Sequence, residues 1–335
     1  MKTRLLKRLL FVVYLFIATS LLLEVGVRVW GYSERHICDP IYTTFAPSTD
    51  IPYVHKPNLH DARARGLAII NTDSLGLRSK VAGSRYEHHQ SGEYRIAIVG
   101  DSVTFGEGVR RTEDTYAQTL EDTLNQRQSA FRVKVFNYGA SAYSVKVMEA
   151  TLEERILEVE PDLVLMAIIP PDFDLTRTPS VDGWGYLTDN KLSGFLPKDS
   201  RIRLYLRKVH LLYLLRDMIY SRQSGSRQVQ ETLSSGNVPE SYSFIRRFSE
   251  TAKQHKLAYA VALLPMLDGK FAGVPARLQA DDIPFVDLST LRDEFTVEQF
   301  KASKFDSHPS AAVHRRLGEA LADYILDRRL MDSPR

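Results

Sequence analysis

The sequence predicts a three-layer α/β/α sandwich around a five-stranded parallel sheet, carried behind one N-terminal transmembrane helix. Three observations lead there. Short apolar strand candidates alternate with amphipathic helical segments from residue 94 onward, the residues able to do chemistry stand just beyond the strands, and a basic start precedes an apolar run at the N-terminus. Strands apolar throughout and separated by helices belong to a parallel sheet covered on both faces.

The elements follow in order. Lys2, Arg4, Lys7 and Arg8 precede Leu9 to Leu23, which carries no charge. That run alone is short of the ~20 residues a spanning helix needs. Continuation through Val25, Gly26, Val27 and Val29 to Trp30 supplies the length, with Arg28 able to snorkel and Trp30 and Tyr32 suited to the interface. The favoured reading is an uncleaved signal anchor over residues 1–32; the other is a signal peptide cut after Ala18-Thr19-Ser20. In both, the basic residues stay in the cytoplasm and the rest faces outward; the favoured anchor is single-pass at the inner membrane, with the C-terminal part in the periplasm or outside the cell. Residues 33–93, irregular and rich in proline, histidine and polar residues, read as a stalk and N-terminal flap.

The main domain, 94–330, then opens with strand Tyr94 to Val99. Helix Thr112 to Gln128, strand Arg132 to Phe136, helix Ser144 to Glu158 and strand Asp162 to Ile169 follow. Residues 170–239 interrupt the rhythm as an insertion. They hold a basic helix, Ile202 to Ser221, whose apolar side (Leu211, Leu212, Leu215, Met218, Ile219) is expected to pack on the domain, and a Ser/Gln/Gly-rich stretch to Gly236 expected to be flexible. Helix Ser241 to His255, strands Leu257 to Leu264 and Phe285 to Leu288, and helix Ser310 to Arg328 close the chain.

Composition narrows the functions. With 44% hydrophobic and 25% charged residues the chain is ordinary globular protein, not disordered. A formal charge of +3, evenly scattered, argues for no nucleic-acid partner. The single cysteine, Cys38, forbids an internal disulfide and excludes CxxC redox chemistry and cysteine-rich metal centres; it is expected to be a free thiol. His55, His60, His88 and His89 lack i, i+4 spacing, so neither metal nor cofactor is expected.

In a doubly wound sheet the ligand lies beyond the carboxyl ends of the strands. There the sequence places Gly100-Asp101-Ser102 after the first strand, Asn137-Tyr138-Gly139 after the second, Pro170-Pro171-Asp172 after the third, and Asp306-Ser307-His308-Pro309 before the closing helix. A serine hydroxyl needs a neighbouring base to become nucleophilic. His308 is the candidate base, and Asp306 the carboxylate that holds its tautomer and stabilises the imidazolium. The backbone N–H groups of Ser102 and Gly139 are candidate oxyanion donors. Asp101 reads as a loop-bracing carboxylate, and Trp184-Gly185-Tyr186 is where a sugar-stacking surface would lie.

These blocks, GDSVTFGEGV from Gly100 to Val109, NYG from Asn137 to Gly139, PDLVLMAI before Asp172, and DSHP from Asp306 to Pro309, resemble the SGNH (GDSL-type) hydrolases, in particular their membrane-anchored bacterial branch. NTDSLGLR, Asn71 to Arg78, resembles the stretch preceding the first block in that branch. The resemblance implies a flavodoxin-like sandwich, catalytic Ser102, Asp306 and His308, and oxyanion or binding roles for Ser102, Gly139 and Asp172. Two positions depart from the family pattern. Pro171 stands where an asparagine oxyanion donor is expected and has no N–H to offer, and Ala142 replaces a second glycine. The expectation is a serine esterase removing a small acyl group, such as O-acetyl, from an envelope or exported polysaccharide. The alternatives are an O-acetyltransferase on such a glycan, a catalytically silent glycan- or partner-binding module, and, given an apolar acyl pocket, a lipid or thioester hydrolase. The expected partners are an acylated glycan or small ester and the inner membrane.

Overall fold

A computed structural model describes residues 2–331 apart from 47, 87, 177–178, 189–199, 221–232 and 234–237. The stretch from Ser221 to Gly236 expected to be flexible lies, but for Leu233, outside the described residues.

Helix α1 (Lys2–Trp30) leads into the N-terminal region, followed by β1 (Glu93–Gly100), α2 (Ser102–Phe105), α3 (Tyr116–Arg127), β2 (Arg132–Gly139), α4 (Val145–Glu154) and β3 (Leu163–Ile168). The insertion carries α5 (Arg201–Leu206) and α6 (His210–Tyr220). Beyond it come α7 (Ser243–Gln254), β4 (Ala258–Leu263), α8 (Val274–Ala280), β5 (Phe285–Asp287) and α9 (Ala311–Asp327). Strands β1 to β5 form one sheet in the order β2-β1-β3-β4-β5, every pair parallel. This is the flavodoxin-like order, whose switch point lies between β1 and β3.

Side-chain alternation along these strands builds two cores. Ala97, Val99, Val164, Met166, Val261 and Leu263 face α4, α7 and α8, while Ile96, Ile98, Leu165, Ala167, Ala260 and Ala262 face α3 and α9. On α3, Tyr116, Leu120 and Leu124 recur at helical spacing and are fully buried; Thr115 caps the helix by accepting the Gln118 N–H.

Three expectations are corrected. Strand β2 continues to Gly139 because its pairing with β1 holds to the register Gly100 opposite Gly139, so Asn137-Tyr138-Gly139 lies in the strand, not after it. The basic helix of the insertion is two helices, parted at residues 207–209. Among the described residues, none on its apolar side joins either core, and Leu212, Leu215, Met218 and Ile219 are exposed.

The region before β1 is more ordered than its composition suggests. Tyr42–Thr43 pairs with Val54–His55, and Ala62–Arg63, Ile69–Thr72 and Arg78–Ser79 form a three-stranded sheet. Ile41, Ile51, Tyr53 and Ile70 belong to the same core as Val99 and Met166, so this flap is packed on the sheet domain.

Candidate active site

The nucleophile loop is built by close approach. A Cβ on Gly100 would lie 2.0 Å from Thr104 Oγ1, and one on Gly139 would lie 2.3 Å from the Phe105 nitrogen, so only glycines let α2 sit so tightly on β1 and β2. Asp101 caps α2, its Oδ1 accepting the Val103 N–H at 2.9 Å, and Gly106, in the left-handed region, ends it. Ser102, nearly buried, thus stands at the switch point immediately after β1.

Asp306 and His308 arrive together on the second strand of a short antiparallel pair, Lys301–Ser303 with Asp306–Pro309, just before α9. His308 Nε2 lies 3.0 Å from Ser102 Oγ, and His308 Nδ1 lies 2.6 Å from Asp306 Oδ1, which also accepts the His308 backbone N–H at 3.1 Å. Serine, histidine and aspartate are thus brought into one hydrogen-bonded line. The Ser102 hydroxyl has a second partner, Asp101 Oδ2 at 3.1 Å.

Electrostatics set the resting state. Burial alone would lower the His308 pKa; the hydrogen bond to Asp306, with the charges of Glu107, Asp306 and Asp101, outweighs it and raises the ring to about 9. At neutral pH the ring is an imidazolium, whose Nε2–H points at Ser102 Oγ while the serine hydroxyl donates to Asp101 Oδ2. Loss of that imidazolium proton frees Nε2 to accept the serine's.

Glu107 carries no signal of its own in the sequence except its place between two motif glycines. Buried to 1% exposure, it sets Oε2 3.4 Å from His308 Nε2, and its N–H donates to the Ser102 carbonyl at 2.9 Å. Oε1 accepts from the Ser141 hydroxyl, which meets the Tyr42 hydroxyl at 2.6 Å. Burial would lower the pKa of the neighbouring Arg65, but Glu107 in particular keeps it raised.

The flap braces this machinery. Buried Arg78 donates to the carbonyls of Phe105 (3.1 Å), Gly106 (2.7 Å) and Val109 (2.9 Å); its pKa is pushed down to about 10 by burial, against the pull of Glu113 and Asp114. Gly66, at φ +70, lies where a Cβ would come within 2.5 Å of Asp306 Oδ2. His55 is a core histidine stacked flat on Phe105 at 4.1 Å, and burial pushes its pKa down to about 3.

Two expected site residues take other places. The N–H of Gly139, the expected oxyanion donor, donates to Asn137 Oδ1 at 2.9 Å, and the glycine also permits the close approach of α2. Asp172, fully buried, accepts the Ile169 N–H at 2.8 Å and closes the turn holding Pro170 and Pro171. Trp184 is partly exposed at a hairpin whose Asp182 Oδ1 accepts the N–H groups of Trp184, Gly185 and Tyr186. Cys38 is a free thiol.

Neither a family model nor a curated protein matches the chain. Among solved structures it is similar to a protein of the G-D-S-L family from Desulfitobacterium hafniense (15% identity, TM-score 0.40, covering 68% of this chain and 98% of that one). It is similar also to the lipase/acylhydrolase from Enterococcus faecalis (12%, 0.42, 70% and 96%). A third is a catalytic mutant of Axe2, an acetylxylan esterase from Geobacillus stearothermophilus (16%, 0.41, 71% and 96%). The five-stranded parallel sheet in the order β2-β1-β3-β4-β5, with the GDS serine directly after β1, is the fold that the resemblance to the SGNH hydrolases implies.

Proposed function

We propose that the protein is a membrane-anchored, periplasm-facing serine esterase that removes a small acyl group, such as acetyl, from an envelope or exported polysaccharide. The single observation that carries the chemistry is the line Ser102 Oγ to His308 Nε2 (3.0 Å) and His308 Nδ1 to Asp306 Oδ1 (2.6 Å). Location rests on α1, long and apolar enough to span a bilayer, with 6% of its most apolar stretch buried. The glycan substrate rests on that location and on the family resemblance.

In this reading the Ser102 oxygen attacks the ester carbonyl carbon as its proton passes to His308 Nε2, and Asp306 stabilises the imidazolium. The Ser102 N–H meets the oxyanion, with Asp172 fixing the turn behind β3. Collapse releases the sugar hydroxyl with the proton from His308, leaving an acyl-serine. Water activated by His308 then frees the acid and regenerates Ser102; a sugar hydroxyl in water's place would give the transferase.

The test uses the full chain in detergent with p-nitrophenyl acetate and longer esters, beside a fluorophosphonate probe. Ester cleavage and labelling that vanish in Ser102→Ala and His308→Ala are expected, with acetate preferred. Equal behaviour of wild type and Ser102→Ala would leave the silent-module reading in place, and an acetylated sugar product from an added acceptor would favour the transferase.

A further inference from the structure

Glu24 is the one acid of α1, in the outer part of the helix, and its use is specific. Its Oε1 and Oε2 accept the N–H groups of His210 (3.0 Å) and Leu211 (2.7 Å), so the anchor helix caps the N-terminus of α6. Arg28 completes the joint, donating to Glu24 at 2.7 Å and to the Lys208 carbonyl at 2.8 Å.

One stripe of α6 continues that docking. His210 meets Ser33, Tyr213 stacks on His36 at 4.9 Å, and Asp217 accepts from Tyr32 (3.0 Å) and pairs with His36 (2.8 Å). Positions 210, 213 and 217 therefore face the exit of the anchor. The other stripe, Leu212, Leu215 and Ile219 with Met218, has the same spacing and is exposed, Met218 and Ile219 each to 63%. The end of α5 repeats the division: Arg207, which follows it, lies over the Tyr186 ring and reaches Asp182 at 3.2 Å, while Ile202, Tyr205 and Leu206 on the helix are exposed.

An apolar stripe of this length facing water is costly, and it starts beside Glu24, adjoining the exposed apolar face of α1, which runs on through Val25 and Val29 to Trp30. We infer that α5 and α6 lie in the outer interface of the bilayer that α1 crosses, their exposed apolar stripe immersed among the lipids. Continuity with α1 selects lipid as the occupant, and Arg201 and Lys208, exposed beside the stripe, can reach lipid phosphates. The catalytic loop sits on the same support. Phe305, directly before Asp306, packs edge-on against Trp30 (4.9 Å) and Tyr32 (5.2 Å), with Lys304 over Trp30. The loop of Asp306 and His308 is thereby held next to the membrane surface, which favours acyl esters presented from that surface.

The inference rests on reading α1 as an anchor, and the test separates the two. In a Cys38→Ala background, single cysteines Phe16→Cys, Met218→Cys and Val297→Cys carry a nitroxide on the full chain in phosphatidylethanolamine–phosphatidylglycerol vesicles. Accessibility to oxygen is compared with accessibility to a water-soluble nickel chelate. A label at 218 that follows the one at 16, oxygen several-fold favoured over nickel, is the expected result. A label at 218 that follows the water-exposed one at 297, with 16 in lipid, overturns the inference and leaves the anchor intact. Nickel access at 16 removes the anchor reading and the inference together. A label at 218 shielded from both probes, with spin–spin broadening, overturns lipid in favour of a second copy of the chain.

Discussion

The edge of the sheet and the flap that covers it contribute to one site in opposite ways. The edge holds the reacting groups: Ser102 follows β1, and Asp306 and His308 share one short strand before α9. The flap places none of its side chains in the Ser102–His308–Asp306 line, yet Arg78 ties three carbonyls of the nucleophile loop, Gly66 lies against Asp306, and Tyr42 meets the serine that holds Glu107. Chemistry and rigidity are thus drawn from different stretches of chain, and the chemistry can be removed without touching the rigidity.

The largest expected effect is at the edge. Ser102→Ala is to lower kcat on an ester substrate by about 10⁶-fold, with the denaturation midpoint nearly unchanged, because among the described residues the hydroxyl bonds Asp101 and His308. Steady-state kinetics beside chemical denaturation check both halves. A variant that unfolds as readily as it loses activity would erase the division between the two regions.

In the flap a loss of stability is expected first, with activity following it. Arg78→Ala leaves the carbonyls of Phe105, Gly106 and Val109 without their buried donor, at about 1–3 kcal/mol for each such group. Stability should fall by about 3–6 kcal/mol by denaturant titration, and activity should fall because the loop under Ser102 loosens. Arg78→Lys, with fewer donors and no planar fork, should recover part of both. Full stability in Arg78→Ala would make the flap a passive cover.

Legibility in the sequence follows the same line. The sheet could be read because its apolar strands alternate with helices, the Ser102 block because it follows a predicted strand, and the Asp306 and His308 block because it stands directly before the closing helix. Strand β2 ran past its expected end because Asn137 and Gly139 are poor strand formers kept in register by β1. The flap offered no period: its strands are two to four residues long, and its order comes from buried side chains such as Tyr53 and Ile70 that composition cannot place. Glu107 was invisible for another reason. An acid between glycines reads as a solvent-exposed turn residue until the fold sets Ser141, Arg65 and His308 around it.

Glu107 sharpens the comparison, since it belongs to the edge and is held by the flap. With His308 at about 9, roughly one molecule in a hundred carries the neutral base at pH 7. kcat/KM should therefore climb with pH until about 9. Of the charges around the ring, Asp306, Glu107 and Asp101 raise it, while the Arg65 cation offsets part of the Glu107 charge. Glu107→Gln removes one raising charge and keeps an acceptor for Ser141, so the rising limb should move down by about one unit, with activity about tenfold higher at pH 7. Stability gives the matching sign. The imidazolium stabilises the fold fully below the unfolded value of 6.5, and that contribution disappears as pH rises through about 9, a window that should narrow from above in the variant. An unmoved pH profile would show that Glu107 exerts no field on the ring.

The smallest effect concerns the turn where the two regions meet. Ala140 to Tyr143 is closed by the Tyr143 N–H on the Ala140 carbonyl, and Ala142, its third residue, has φ +59. That position suits glycine, which the family pattern implies here; a Cβ in the left-handed region costs roughly 1–2 kcal/mol. Glycine in turn has more unfolded freedom to lose, so Ala142→Gly should stabilise the chain by only about 0.5–1 kcal/mol. The backbone around it is already fixed from the flap, by the Tyr53 hydroxyl on the Ser141 carbonyl and the Tyr143 hydroxyl on the Tyr53 carbonyl. Relieving the strain should therefore raise the denaturation midpoint without altering kcat or the pH profile. A change in either would mean that the strained turn, rather than the flap's hydroxyls, sets where Ser141 holds Glu107 against His308.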